Sequence, residues 1–179
     1  MSTTKQSVER TMFHICLEKF KKYLKKDDVV YDIGKSETLD YKDDFEGYKY
    51  STIDRDEGRN PDYVIDAETD RLLTLPPPHA LILNGVAEQC DNPIKLMENI
   101  SELMSERMSE LMSELMPVKR YVLFGVISVG FPLYERDYFR FTPNGMYRLL
   151  ERLKFKILEE NFCYRNKILS YMYFITEKK

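Results

Sequence analysis

The chain has 179 residues, of which 43% are hydrophobic and 32% are charged, and its formal net charge is −3. This composition is typical of a globular domain and excludes wholesale disorder and collagen-like or low-complexity architectures. A mildly acidic chain lacks the basic surface that nucleic acid or an anionic membrane attracts, so we expect neither as a partner. The length predicts a single domain over residues 1–179.

The cysteines and the N-terminus restrict the cellular context. Cys16, Cys90 and Cys163 are too widely spaced for a zinc site or a disulfide framework, so we expect no bound metal. The first residues contain no continuous apolar stretch typical of a signal peptide, and no run approaches the length of a membrane span. We therefore expect a cytoplasmic protein.

The first predicted element is an amphipathic helix over residues 7–26, within an N-terminal segment 1–27. Its apolar stripe is expected to contain Met12, Ile15, Cys16, Lys19, Phe20 and Tyr23. His14 lies on the same stripe, where a packed histidine is expected rather than a catalytic base.

Short apolar runs follow, and the first of them, which is β-branched and followed by Gly34, is typical of a buried parallel strand. They cover residues 29–33, 48–53, 62–65, 79–84, 120–127, 154–158 and 169–176. Helical patterns over 93–116 and 143–153 separate several of them, the second with Thr142 as its N-cap. This alternation predicts an α/β fold, a seven-stranded and mostly parallel sheet with helices on both faces. The interval between the second and third strands is too short for a crossover helix.

Residues 101–116 repeat one tetrapeptide four times, as SELM-SERM-SELM-SELM. A period of four residues lags the helical period, so the Leu/Met pairs drift around the helix. One interpretation is a helix extension that packs on the sheet. The other is an adaptable Met-rich surface for a protein partner.

Polar residues and glycines follow the first four predicted strands. They are Asp32 and Gly34, Asp54, Asp66, and Asn84 with Gly85. Ligands of open parallel sheets bind at the carboxyl ends of the strands, and an acid about 20 residues after a glycine turn is typical of ribose recognition. A helix-capping aspartate, a solvated acid and an ordinary strand end are the alternative interpretations of these residues.

Several motifs together resemble one known family. They are VVYDIGKSE (29–37), STID (51–54), YVIDAE (63–68), ALILNGVAEQCDNPIKLMENI (80–100) and ERDYFRFTPNGMYRLLERLKFKILE (135–159). In this order they are similar to class I S-adenosylmethionine-dependent methyltransferases, in a branch of small enzymes with an RFTP-type segment. The resemblance spans roughly residues 28–176 and implies a Rossmann-like domain whose last two strands form an antiparallel hairpin.

The resemblance also implies a cofactor and an acceptor site. Asp32 and Gly34 would hold the methionine part of S-adenosylmethionine, Asp54 the ribose, and Asp66 with Ala67 the adenine. Asn84 and Gly85 would line the same site from the fourth strand.

The acceptor, a small molecule or a glycan by analogy with that branch, would lie beside Glu88, Tyr138 and Arg140. Alternatively Tyr138 and Phe141 pack under the sheet and Arg140 pairs with a carboxylate. Cys90 lies near this edge and is expected to be inert.

Two departures from the family pattern support a different hypothesis. Ser36 replaces the second glycine of the first motif, where a Cβ hinders close approach of the backbone to the cofactor. Gln89 replaces a histidine after the fourth strand. The chain would then keep the methyltransferase fold without catalysis and act as a binding or scaffold module. Another kind of nucleotide binder is disfavoured because no G-x-G-x-x-G motif is present.

Overall fold

The helices and strands follow the predicted alternation. The computed structural model describes residues 8–35, 41–105, 118–128, 130 and 137–179. Its helices are α1 (Val8–Lys21), α2 (Pro93–Leu103) and α3 (Pro143–Arg152). Its strands are β1 (Val29–Ile33), β2 (Lys49–Asp54), β3 (Tyr63–Val64), β4 (Ala80–Asn84), β5 (Tyr121–Ile127), β6 (Phe155–Arg165) and β7 (Ile168–Lys178). No helix within these ranges is long and apolar enough to cross a membrane.

Seven strands of the described residues form one sheet in the order β3-β2-β1-β4-β5-β7-β6. The pairs among the first five strands are parallel, whereas β7 runs antiparallel to both β5 and β6. This confirms the predicted mostly parallel sheet with an antiparallel hairpin at one edge. Strand order reverses between β1 and β4, which places a ligand crevice at their carboxyl ends.

Helices cover both faces of the sheet, as predicted. Alternate residues of a strand point to opposite faces, so Leu81 and Leu83 join the core under α2 and α3. Their neighbours Ala80 and Ile82 join the core under α1. The side chains of both cores are buried on either face of the sheet. This packing fixes the positions of the strand ends that surround the crevice.

Helix α1 is shorter than predicted, and its buried face differs from the predicted one at Ile15. It ends at Lys21 rather than residue 26, because the chain tightens into i→i−3 hydrogen bonds at Lys22 and then reverses at Asp27 (φ 68). The buried residues of its inner face are Glu9, Phe13, Cys16, Leu17 and Phe20. The prediction that Ile15 lies on this face was wrong, since its side chain is 46% exposed.

The edge hairpin is longer than the predicted strands 154–158 and 169–176. Its turn residues Asn166 and Lys167 both have positive φ (50° and 65°), as a two-residue type I′ turn requires. The sequence signal was weak because an edge strand can carry charged residues such as Glu159 and Glu160.

The cap of α3 and the connection between β2 and β3 agree with the prediction. Thr142 caps α3, because its Oγ1 accepts a hydrogen bond from the Gly145 N–H at 3.1 Å. Only a 3₁₀ turn, Glu57–Arg59, lies between β2 and β3, which confirms that this connection has no crossover helix. Helix α2 ends at Leu103, and residues 106–117 lie outside the described ranges. The prediction of one continuous helix over 93–116 was therefore wrong at Met104 and Ser105, and the structure of the rest of the 101–116 repeat stays a prediction.

Candidate functional site

A cavity of about 620 Å³ lies at the carboxyl ends of β1 to β4, where the strand order reverses. This volume is within the range of small-molecule and cofactor sites. All the predicted cofactor residues except Asp32 line it, namely Gly34, Asp54, Asp66, Ala67, Asn84 and Gly85. The tertiary structure therefore brings together residues that the sequence distributes over four strand ends.

The turn after β1 depends on Gly34. Its φ is +86°, a conformation that L side chains rarely adopt, and a Cβ here would overlap the Val86 side chain. The Gly34 N–H donates to the Ile53 carbonyl at 2.8 Å, which links the ends of β1 and β2. The bare backbone of Gly34 thus forms one wall of the cavity. The neighbouring Ser36 lies outside the described residues, so its effect stays a prediction.

Asp54 ends β2 and presents a largely buried carboxylate to the cavity. Its Oδ1 accepts the Asp56 N–H at 2.8 Å, and its Oδ2 lies 3.3 Å from Nη1 of Arg59. Both oxygens are therefore held in fixed positions. A carboxylate has about four lone-pair sites, so each oxygen keeps a site for a further donor.

The third strand end carries Asp66 and Ala67. Asp66 Oδ1 accepts the Glu68 N–H at 3.0 Å, which forms a tight turn. The Ala67 carbonyl accepts from the side-chain amide of Asn99 at 3.0 Å, and the same amide nitrogen donates to the Thr69 carbonyl. Helix α2, which carries Asn99, therefore sets the position of this backbone at the cavity wall.

Asp32 is buried near the end of β1 and does not border the cavity. Its Oδ2 accepts the Tyr50 hydroxyl at 2.6 Å. Asp32 pairs in register with Thr52 on β2 and Ile82 on β4. Direct contact of Asp32 with a cofactor thus stays a prediction, while the observed role is to support the strand ends.

The side chain of Asn84 is oriented by two tyrosines. Its Oδ1 accepts the Tyr171 hydroxyl at 3.2 Å, and its side chain also hydrogen-bonds the Tyr41 hydroxyl. A Cβ on Gly125 would overlap Asn84 Oδ1, and one on Gly85 would lie 2.8 Å from the Tyr171 hydroxyl. Two glycines therefore leave the space in which this polar cluster forms. Burial raises the pKa of Tyr171 well above its usual value, which keeps it a neutral donor.

Glu88, predicted to face the acceptor, is fully buried beside the cavity. Its carboxylate accepts the Ile127 N–H, and its carbonyl oxygen accepts the N–H groups of Tyr138 and Phe139 at 2.8 and 3.2 Å. Burial raises its pKa to about 7. These hydrogen bonds hold the segment that follows β5 against the turn after β4. A direct contact between Glu88 and an acceptor stays a prediction.

The other two predicted acceptor residues differ in exposure. Arg140 donates to Asp137 at 2.8 Å, and the Asp137 side chain is buried, so Arg140 forms the carboxylate pair that was one of the two interpretations. Phe141 packs against the core, whereas Tyr138 is 58% exposed. Tyr138 is thus available to a ligand in a way that Phe141 is not.

The two histidines of the sequence, His14 and His79, and the cysteine near the cavity, Cys90, occupy structural positions. His14 contacts the rings of Phe13 and Tyr41 edge-on, as expected for a packed histidine. His79 Nδ1 accepts the Val29 N–H at 3.1 Å, at the amino end of β4 and away from the cavity. Cys90 lines the cavity, and burial raises its pKa to about 12, which favours an unreactive thiol.

Several residues near the cavity were not predicted from the sequence. Arg59 lines it, but it lies in the charged run DRDEGR (54–59), and runs of charged residues are usually solvent-exposed. Tyr41 and Tyr171 reach Asn84 from distant parts of the chain. No local spacing could have identified these tyrosines, because only the sheet brings them together.

The strand order, the antiparallel β7 and the crevice at the switch point define the Rossmann-like fold of class I S-adenosylmethionine-dependent methyltransferases. No protein-family model matches the sequence, and no curated protein matches it significantly. Solved structures, in contrast, match it over nearly its whole length.

Three of these structures illustrate the similarity. The N-methyltransferase NodS from Bradyrhizobium japonicum WM9, bound to S-adenosyl-L-homocysteine, has a TM-score of 0.70 and 10% identity over 97% of this chain and 89% of its own. The 1,6-didemethyltoxoflavin-N1-methyltransferase of Burkholderia thailandensis, bound to 1,6-didemethyltoxoflavin and S-adenosylhomocysteine, has a TM-score of 0.67 and 15% identity over 98% and 80%. A SAM-dependent methyltransferase from Archaeoglobus fulgidus has a TM-score of 0.67 and 15% identity over 94% of each chain. At these identities the similarity establishes the fold.

Proposed function

We propose that this protein binds S-adenosylmethionine and transfers its methyl group to a small acceptor. The proposal is carried by the position of Asp54, a buried carboxylate that borders the cavity beside the Gly34 turn. A carboxylate in this position accepts hydrogen bonds from the two vicinal hydroxyls of a ribose. The shared fold with methyltransferases that were crystallised with S-adenosylhomocysteine supports the same cofactor.

The cavity residues fit the parts of this cofactor. Gly34, with Asp32 behind it, would hold the methionine part, because the bare backbone allows close approach. Asp54 would hold the ribose. Asp66 and the backbone of Ala67, held by Asn99, would hold the adenine, and Asn84 with Gly85 would close the site from β4.

Methyl transfer requires little acid–base catalysis from the protein. When bound, the cofactor supplies an electrophilic methyl group, and alignment of the acceptor with it accounts for much of the rate. The residues that would align the acceptor are Glu88, Tyr138 and Arg140. Glu88 and Arg140 would act by holding the segment after β5, and the exposed Tyr138 ring would contact the acceptor directly.

A small-molecule acceptor is supported by the Burkholderia structure, which holds such a substrate. A glycan is the second class of acceptor that we propose to screen.

We propose a cytoplasmic location for the protein. Association with a protein partner through residues 101–116 would be tested by deleting residues 105–116, and an unchanged oligomeric state would argue against it.

Calorimetric titration with S-adenosylhomocysteine tests the cofactor. We expect saturable binding with a Kd on the order of 1–10 μM, and at least a tenfold loss in Asp54→Asn, which removes the charge but keeps the shape. Asp70→Asn is the matched control, because Asp70 is exposed and pairs with Lys95 away from the cavity. It should bind like the wild type.

The outcome separates the two main hypotheses. Micromolar binding that is lost only in Asp54→Asn supports the methyltransferase and justifies an acceptor screen with methyl-labelled S-adenosylmethionine. An absence of heat at millimolar ligand contradicts cofactor binding. It would favour a methyltransferase fold that acts as a binding or scaffold module.

A further inference from the structure

Arg59 connects two walls of the cavity through one guanidinium nitrogen. Its Nη1 donates to the carbonyl oxygen of Lys35 at 3.1 Å and lies 3.3 Å from Oδ2 of Asp54. Lys35 follows β1 and Asp54 ends β2, so this contact spans the crevice wall between the two strand ends. Arg59 also borders the cavity itself.

A second hydrogen bond joins the same two turns with the donor on the turn after β1 and the acceptor on the turn after β2. The Lys35 ammonium group donates to the carbonyl of Asn60 at 2.7 Å. Asn60 can present this carbonyl because it adopts a left-handed conformation (φ 51°) that ends the 3₁₀ turn. The turn after β2 and the turn after β1 are therefore held together by a reciprocal pair of side-chain contacts.

The same turn sets the position of the carboxylate. The Asp56 N–H donates to Asp54 Oδ1 at 2.8 Å, while Asp56 Oδ1 caps the turn by accepting from Gly58 at 2.9 Å. Nε of Arg59 lies 3.7 Å from Asp56 Oδ2, so the guanidinium interacts with both acids. Without this cation, two neighbouring carboxylates would repel each other and Asp54 Oδ2 would lose a charged donor.

From this geometry we infer that Arg59 is a positioning residue for ribose recognition: it orients the Asp54 carboxylate toward a vicinal diol and fixes the gap between the turns after β1 and β2. The inference rests on the proposed function, because it assumes that a ribose occupies this end of the cavity. Arg59 does not itself take part in methyl transfer. Its contribution is specificity for the ribose hydroxyls over a deoxyribose.

The test compares S-adenosylhomocysteine with its 2′-deoxyribose analogue by calorimetry. We expect the wild type to prefer the natural ligand by about tenfold, which is the effect of one hydrogen bond to a charged group. In Arg59→Met this preference should fall to about twofold or less. Arg59→Lys keeps the charge without the planar fork, so it should retain an intermediate preference.

Arg55→Met is the matched control. Arg55 also lines the cavity, but its guanidinium pairs with Glu68, 3.7 Å away. It should change the affinities for both ligands by the same factor and leave their ratio unchanged. Thermal unfolding of each variant identifies any that fails to fold, and Arg59→Lys then provides the comparison.

The outcomes distinguish the inference from the proposed function. If the wild type does not bind S-adenosylhomocysteine, the proposed function and the inference are both overturned. If the wild type shows the ribose preference and Arg59→Met keeps it, only the role of Arg59 is overturned. Equal weakening of both ligands in Arg59→Met also overturns it, because a general structural defect would act in that way.

Discussion

The carboxylate of Glu88 accepts a hydrogen bond from the backbone N–H of Ile127, so a fully buried acid joins the turn after β4 to the end of β5. Burial raises the pKa of this group to about 7, from 4.5 for an ordinary glutamate. Between these two pH values the folded protein binds more protons than the unfolded chain does. The contribution of Glu88 to stability is therefore present below pH 4.5 and is lost as the pH rises through 7.

Replacement of Glu88 by Gln should remove this dependence, since Gln keeps an acceptor for the Ile127 N–H and does not titrate. We expect the difference in unfolding free energy between the wild type and Glu88→Gln to change by about 3 kcal/mol from pH 4 to pH 8, in favour of the variant. Chemical unfolding across this range measures it. Glu98→Gln, at a glutamate that forms a surface pair with Arg152, should show no such change. A constant difference for Glu88→Gln would contradict the raised pKa.

Two glycines with similar backbone conformations allow the steric overlap of an added Cβ to be separated from backbone strain. Gly34 (φ +86°) faces the Val86 side chain, whereas Gly47 (φ +88°) has no atom near the position of a Cβ. Gly47→Ala should cost about 1 kcal/mol through backbone strain alone. Gly34→Ala should cost about 2–3 kcal/mol and also weaken S-adenosylhomocysteine binding, because its turn forms the cavity wall. Equal stability losses, measured by denaturant unfolding, would argue against crowding at Gly34.

The stacked rings of Tyr171 and Tyr173 provide a second matched pair. The Tyr171 hydroxyl donates to Asn84 beside the cavity, whereas the Tyr173 hydroxyl donates to the Glu9 carbonyl of α1 at 2.9 Å. Each Tyr→Phe change should cost about 1 kcal/mol of stability by removing one buried hydrogen bond. Only Tyr171→Phe should also weaken S-adenosylhomocysteine binding, by about threefold to tenfold. Calorimetry on both variants checks this, and an equal effect on binding would contradict the role given to Asn84.

The three cysteines should be unreactive in the folded protein. All are buried, and the pKa values of Cys16 and Cys90 are raised to about 11 and about 12. Only the thiolate attacks a disulfide reagent, so at pH 8 about one Cys90 in ten thousand would be ionised. Reaction with Ellman's reagent should be slow in buffer and complete within minutes in guanidinium chloride. Rapid modification of the native protein would show that Cys90 is more accessible than its burial indicates.

The architecture was predictable because its signals are local. Runs such as 29–33 and 79–84 are short and apolar, and each is followed by glycine, which is the pattern of a strand buried on both faces. The length of β6 was underpredicted because it is the edge strand of the sheet, and an edge strand tolerates charged residues. The inner face of α1 was misassigned at Ile15, where a shift of one residue rotates a helix by about 100°.

The sequence by itself determined the alternation of strands and helices, and it identified Gly34, Asp54, Asp66 and Asn84 as strand-end residues, because periodicity and turn chemistry act over a few neighbouring residues. Only the tertiary structure decided that these ends surround one cavity. It also decided that Arg59 joins Asp54 to Lys35 and that Tyr171 reaches Asn84. These contacts depend on strand order and on the direction in which each side chain leaves the sheet, and neither property leaves a signature in local spacing.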